Sequence, residues 1–211
     1  MELAITSYCR IKKDTVIVNG KTLSFSKTDN PSYFFAEAYK QLEINYPKFH
    51  KMDNLSKLGL LAAEAALKNS GFLSRNDLSK TAIILANRSS SLDTDKTHQK
   101  SISDLAQYLP SPSVFVYTLP NIVIGEIAIK YKITGENAFF VANEFDSGLL
   151  DNYARTLFEQ RAAASAICGW TDFDHGGYDA LIYLVEIVSD SIKNTNFKVL
   201  NQSNINQLYH Q

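Results

Sequence analysis

The four residues Asn143, Glu144, Phe145 and Asp146 join an apolar run, "NAFFVAN", to a helical pattern that opens at Ser147. A strand-to-helix junction of this kind holds one side chain at a sharp turn. The first N–H groups of the helix then point at any negative charge that develops beside it. A cysteine or serine at that point would be a nucleophile, and none of the four residues is one. Glu144 reads as a carboxylate stabilised by the helix macrodipole. The ring of Phe145 offers no acid, base or nucleophile and reads as a core or pocket-lining aromatic. The turn therefore has the form of an active site without its reacting group.

Other chemistry-bearing residues are thinner. Asp93, Asp95 and His98 form D-x-D-x-x-H, a set of oxygen and imidazole donors, but they enter a helix from a polar loop and read as a solvated cap. Asp172, Asp174 and His175 precede Gly176-Gly177, and turn chemistry explains them without a metal. No metal or cofactor is expected. His50 falls in a loop and His210 in the tail, with no catalytic partner nearby in sequence. There is no Gly-x-Ser-x-Gly elbow and no Gly-rich phosphate loop. Tyr33, Phe34 and Phe35 can line an apolar channel, although an aromatic stripe on a helix is more often core.

The elements that must position these groups follow from pattern. The 211 residues, 45% hydrophobic and 20% charged, suit one globular domain. The 21 basic and 22 acidic side chains leave a net charge of -1, with no footprint for nucleic acid or an anionic membrane. No apolar run is long enough for a membrane span, and the N-terminus does not read as an export signal. Cys9 and Cys168 lie in apolar strand-like runs, as buried free thiols in a reducing cytoplasm would.

Along the chain, "ELAITSYCRI" reads as a strand and "TVIVNGKTLSF" as a hairpin turning at Asn19-Gly20. "NPSYFFAEAYKQLE" starts a helix at Asn30-Pro31. "MDNLSKLGLLAAEAALKNSGF" is a helix capped by Asp53 or Asn54 and closed by Gly71. "KTAIILANR" is a buried strand, "DKTHQKSISDLAQYL" an amphipathic helix, "PSVFVYTLPN" an extended segment turning at Pro120, and "IVIGEIAIKYKI" a well-buried helix. The strand "NAFFVAN" follows, then a helix near 147 to 163 expected to be central and largely buried. The strand "SAICGW", the loop "TDFDHGGYD" and the strand "ALIYLVEIV" come next. Residues 189–211 are expected to add at most one short strand through Phe197 to Leu200 before a mobile Asn/Gln/Ser-rich end. The near-continuous apolar strands predict a mostly parallel sheet with helices on both faces.

In order and spacing, "KMDNLSKLGLLAAEAALKNSGF", "KTAIILANRSSSLDTD", "PSPSVFVYTLPNIVIGEIAIKYKITGEN", "SGLLDNYARTLFEQ" and "SAICGWTDF" resemble successive segments of the β-ketoacyl synthases. The resemblance covers most of residues 1–188 and is closest to the short β-ketoacyl synthase-like N-terminal domains found near aryl-polyene and flexirubin-type pathways. It implies an α/β, thiolase-like fold, N-terminal half only. A complete synthase carries its cysteine in the first half and two histidines in a second, for which 211 residues leave no room. Aligned on Ser147 and Gly148, Phe145 stands at the cysteine position; counted from Gly135, Glu144 does.

Condensation needs a thiolate to accept an acyl group and histidines to assist decarboxylation. The resemblance therefore implies a protein without catalytic cysteine: a non-catalytic or chain-length-factor-like subunit working with an acyl carrier protein or a full-length ketosynthase in fatty-acid or polyketide biosynthesis. The alternative is an active acyltransferase, or a malonyl decarboxylase using Glu144, completed by a separate synthase chain. In the family, dimers pair the strand before the nucleophile. That implies a homodimer or heterodimer through Phe139, Phe140 and Val141.

Overall fold

The structure, a computed structural model, describes residues 1–103, 106, 108–193 and 195–211. Its sheet has the order β3-β2-β1-β7-β6-β4-β5. The strands are β1 (Leu3–Lys12), β2 (Thr15–Val18), β3 (Lys21–Ser24), β4 (Thr81–Asn87), β5 (Asn137–Val141), β6 (Ser165–Asp174), β7 (Gly177–Ile187) and β8 (Lys198–Val199). β8 pairs with β1 through Ala4 and Ile5, along the same edge that β2 uses further on. β4 runs parallel to β5 and to β6; the other pairings are antiparallel. The expectation of a mostly parallel sheet is thus corrected at the level of neighbours. β1, β3, β4, β5 and β6 do run one way, but β7 lies between β6 and β1 in the opposite sense and makes those contacts antiparallel.

β4 shows why alternation was absent from the sequence. Ile83 and Leu85 enter one core, with α1 (Pro31–Gln41), α2 (Asn54–Leu67) and α6 (Ile122–Tyr131). Ala82, Ile84 and Ala86 enter the other, with α7 (Ser147–Glu159) and α9 (Gln202–Tyr209). A strand covered on both faces has no polar side to show. The helices therefore lie on both faces, as expected.

Local signals set several boundaries. Asn19 and Gly20, at φ 49° and 80°, supply the two positive φ values of a two-residue hairpin. Asn30 accepts from the N–H of Ser32, and Pro31 opens α1. Asp53 accepts from the N–H of Ser56 at 2.9 Å and caps α2. Gly71 does not close that helix: α2 ends at Leu67, Asn69 takes φ 60°, and Gly71 at φ 70° precedes the short α3 (Phe72–Arg75).

Other expectations are corrected. "PSVFVYTLPN" is not extended but begins with α5 (Pro112–Val116), because Ser111 accepts from the N–H of Val114 and Pro112 suits a first helical turn. The amphipathic helix is α4 (Leu92–Ile102); its expected continuation over Asp104, Leu105 and Gln107 falls outside the described residues. α6 is only half-buried, with Ile129 63% exposed. α7 buries Leu150, Ala154, Leu157 and Phe158 and leaves Asn152, Thr156 and Glu159 exposed. "TDFDHGGYD" is not a loop: β6 and β7 continue through it to a tight turn at His175 and Gly176, φ 50° and 81°. The tail, after α8 (Asp190–Lys193), adds more than one short strand. Asn201 caps α9, and Ile205 and Leu208 are fully buried.

Candidate functional site

β4, β5 and β6 are parallel, so their carboxyl ends open at one edge of the sheet, the usual place for a ligand site in α/β proteins. There the chain leaves β5, binds back through the N–H of Ala142 to the carbonyl of Asn87 at 2.8 Å, and enters α7. Asp146 is the helix cap, accepting from the N–H of Leu149 at 2.9 Å. Two cavities flank the turn, of about 300 Å³ and 530 Å³. Asn143, Glu144 and Phe145 line both. Glu144 is exposed and makes no hydrogen bond or ion pair among the described residues.

Phe145 is covered. The ring of Tyr209 stacks on it with centroids 3.8 Å apart and planes within 7°. Trp170, from β6, meets it edge to face at 5.9 Å. Arg10, from β1, lies over the ring of Tyr209 at 4.5 Å and donates through Nε to the carbonyl of Tyr209 at 2.7 Å. Asp179 takes the guanidinium of Arg10 and, at 2.5 Å, the hydroxyl of Tyr209. Burial and that carboxylate push the Tyr209 phenol up, so it stays a donor. Across the β6–β7 hairpin from Asp179, Asp172 accepts from the N–H groups of Arg88 and Ser89 at 3.1 and 2.8 Å and from Ser89 Oγ at 3.2 Å.

The structure thus joins Glu144 and Phe145 to Asp172 and Asp174, which also line the smaller cavity. It adds Arg88, Trp170, Asp179 and Tyr209, which no sequence motif marks. The available signal was position: Arg88 and Asp172 sit just beyond, or near, the carboxyl ends of parallel strands. Nothing local marked Tyr209.

The remaining candidates lie elsewhere. Asp95 accepts from Ser91 Oγ at 3.2 Å, Asp93 lies 3.4 Å from Asn54 Nδ2, and His98 packs against Phe115. His175, at the hairpin tip, meets Lys96 Nζ at 2.8 Å, and Asp174 lies 3.6 Å from both. No group of three or more His, Cys, Asp or Glu able to hold a metal occurs among the described residues. His50 packs on Tyr39, and His210 on Tyr209. Phe34 and Phe35 are core residues packed with Tyr178, while Tyr33 is 57% exposed. Cys9 and Cys168 are free and fully buried, and burial raises both thiols far above their ordinary value. Neither lines the cavities at the turn.

β5 is an edge strand. The Ala142 N–H and the Glu136 carbonyl both bond to β4. By the alternation of a parallel ladder, the N–H and C=O groups of Phe139 and Val141 face the open side. Phe139 packs into one core and Phe140 into the other, and Val141 is 57% exposed. No helix among the described residues is long and apolar enough to cross a membrane.

The turn thus lies at the carboxyl ends of the parallel strands of a mixed α/β sheet. The family model "Beta-ketoacyl synthase, N-terminal domain" matches residues 27–167, more than half of the chain, and the protein belongs to that family with a thiolase-like fold. Among solved structures, it resembles the ishigamide ketosynthase/chain length factor (17% identity, TM-score 0.66, 89% of this chain and 63% of the other). It also resembles a type II polyketide synthase acyl-carrier protein in complex with its ketosynthase (14%, 0.70, 93% and 65%). A third is a ketosynthase in complex with its chain length factor from Xenorhabdus doucetiae (15%, 0.60, 90% and 81%). At these identities the likeness is one of fold. The chain spans 63% and 65% of the length of the first two. No curated protein sequence matches it.

Proposed function

We propose that this protein is a non-catalytic, chain-length-factor-like subunit that works beside a full-length ketosynthase or an acyl carrier protein in fatty-acid or polyketide biosynthesis, in the cytoplasm. The observation that carries this reading is the stack of Tyr209 on Phe145 at the turn where the family's nucleophile would stand. Acyl transfer needs a thiolate there. The turn has no thiol, and its aromatic residue is closed over by another. The chain length factors among the proteins of similar fold favour a partner role.

The surface offered to that partner is the open edge of β5, through Phe139, Phe140 and Val141. This strand has outward-facing N–H groups and neither a charge nor a proline within Asn137–Val141, the usual protections of an exposed edge. Pairing with a second copy, or with a synthase, satisfies those groups. Co-purification with a full-length ketosynthase tests the reading; a chain that stays monomeric alone and with every co-expressed synthase would contradict it.

The second reading is a decarboxylase, favoured by one feature: Glu144 lines both cavities and is not engaged by another side chain. Carbon dioxide release from malonyl-carrier protein that is lost in Glu144→Gln would select it.

A further inference from the structure

α9 is a short terminal helix anchored by three side chains, Ile205, Leu208 and Tyr209, while Gln202, Ser203, Asn206 and Gln207 face outward. Of the three, Tyr209 has the most specific environment. The Phe145 ring lies 3.8 Å from its centroid with near-parallel planes, and the guanidinium carbon of Arg10 lies 4.5 Å from the same centroid. Two groups that close to the centre of one ring cannot share a face, so Phe145 and Arg10 sandwich it. The slot between them is one ring thick. One wall is an aromatic face, the other a cation that favours the π-face of whatever fills the slot. At the far end Asp179 Oδ2 accepts the hydroxyl at 2.5 Å, a hydrogen bond strengthened by the charge on the acceptor.

The two walls and the far end each select for one property of the occupant: planarity, a π-system, and a hydroxyl donor opposite the point of attachment. We propose that the slot between Phe145 and Arg10 is a binding site for a para-hydroxyphenyl group, filled in this state by the chain's own Tyr209 and open to a phenolic ligand when α9 undocks. The rest of such a ligand has room. The cavities of about 300 Å³ and 530 Å³ share Asn143, Glu144 and Phe145, and α9 contributes Tyr209 to the first and Asn206 to the second. Departure of α9 removes a wall from each. This inference concerns a ligand of this chain and stands apart from the choice of partner.

The test uses the full chain and p-cresol, the tyrosine side chain as a free molecule. Trp170, the only tryptophan, sits edge to face on Phe145 and reports on the slot by its fluorescence. Tyr209→Ala is expected to bind p-cresol saturably, toluene roughly tenfold more weakly for want of the hydroxyl, and cyclohexanol, which is not planar, without saturation. In the wild-type chain, the amides of α9 are expected to exchange through a local opening, ahead of those of β6 and β7, and p-cresol is expected to speed that exchange by competing with Tyr209. A folded Tyr209→Ala chain with no saturable response to p-cresol, or with an equal response to cyclohexanol, would overturn the proposal. Should that variant not fold, the wild-type exchange decides: α9 amides that open only together with the sheet, or that ignore p-cresol, overturn it as well.

Discussion

Arg10 and Asp179, one on β1 and one on β7, form an ion pair in which the arginine side chain is only 2% exposed. The guanidinium also donates to the carbonyls of Ile11 at 2.9 Å, Ala180 at 3.0 Å and Tyr209 at 2.7 Å. This one cation therefore ties the sheet to the C-terminal helix and holds the carboxylate that binds the Tyr209 hydroxyl. Removing a single partner of a buried pair leaves the other charge uncompensated, which costs about 3–5 kcal/mol. Arg10→Met is expected to lose about 3 kcal/mol in urea unfolding, nearer the lower figure because Asp179 is 26% exposed. A loss below about 1 kcal/mol, the scale of an exposed pair, would contradict this account of the network.

Asp53 gives a pH signature. Burial pushes its carboxyl above the usual range, partly offset by the hydrogen bonds from Ser56 and Thr94 and by the nearby Lys57. The native chain thus keeps this proton at pH values where the unfolded chain has released it. The corresponding stability is fully present below the unfolded pKa and is lost as pH rises through the folded one. Asp53→Asn stays neutral and still accepts from the Ser56 N–H, so it is expected to gain on the wild type as pH rises from about 4 to 7. Chemical denaturation at both pH values measures this; a stability difference, variant minus wild type, that stays constant or falls as pH rises speaks against it.

Val141 tests the edge of β5. Its N–H faces away from β4, so Val141→Pro removes an outward donor while leaving the ladder to β4 intact. Thermal stability is expected to change little and self-association, or binding to a synthase, to fall by at least about tenfold in dissociation constant. Light scattering and titration read both. Unchanged association in a folded variant would place the interface elsewhere.

Much of the scaffold was legible because its signals are local. Asn19-Gly20, Asn30-Pro31 and the Asp53 cap each act within a few residues, and each took its expected role. The segments misread are of two kinds, one whose local cap is masked by β-prone residues and one held by contacts at a distance. α5 has the β-prone residues Val114, Phe115 and Val116 and is helical through a serine cap. α9 has a polar composition, and it is held by Ile205 and Leu208 packing into the core around α7. The absence of a nucleophile at residues 143–146 was readable directly. The closure of that turn was not, since Phe145 and Tyr209 are far apart in sequence and meet only because both lie at one end of the folded sheet.

The central claim is that this chain carries no acyl group. Intact-mass spectrometry after incubation with acyl-carrier thioesters, alone and with a co-expressed ketosynthase, measures it directly. The account predicts an unmodified mass for this chain under both conditions, with any acyl group on the synthase, because Cys9 and Cys168 are fully buried and the turn has no thiol. An acyl increment on this chain, mapped to residues 143–147 or to Cys168, would contradict it.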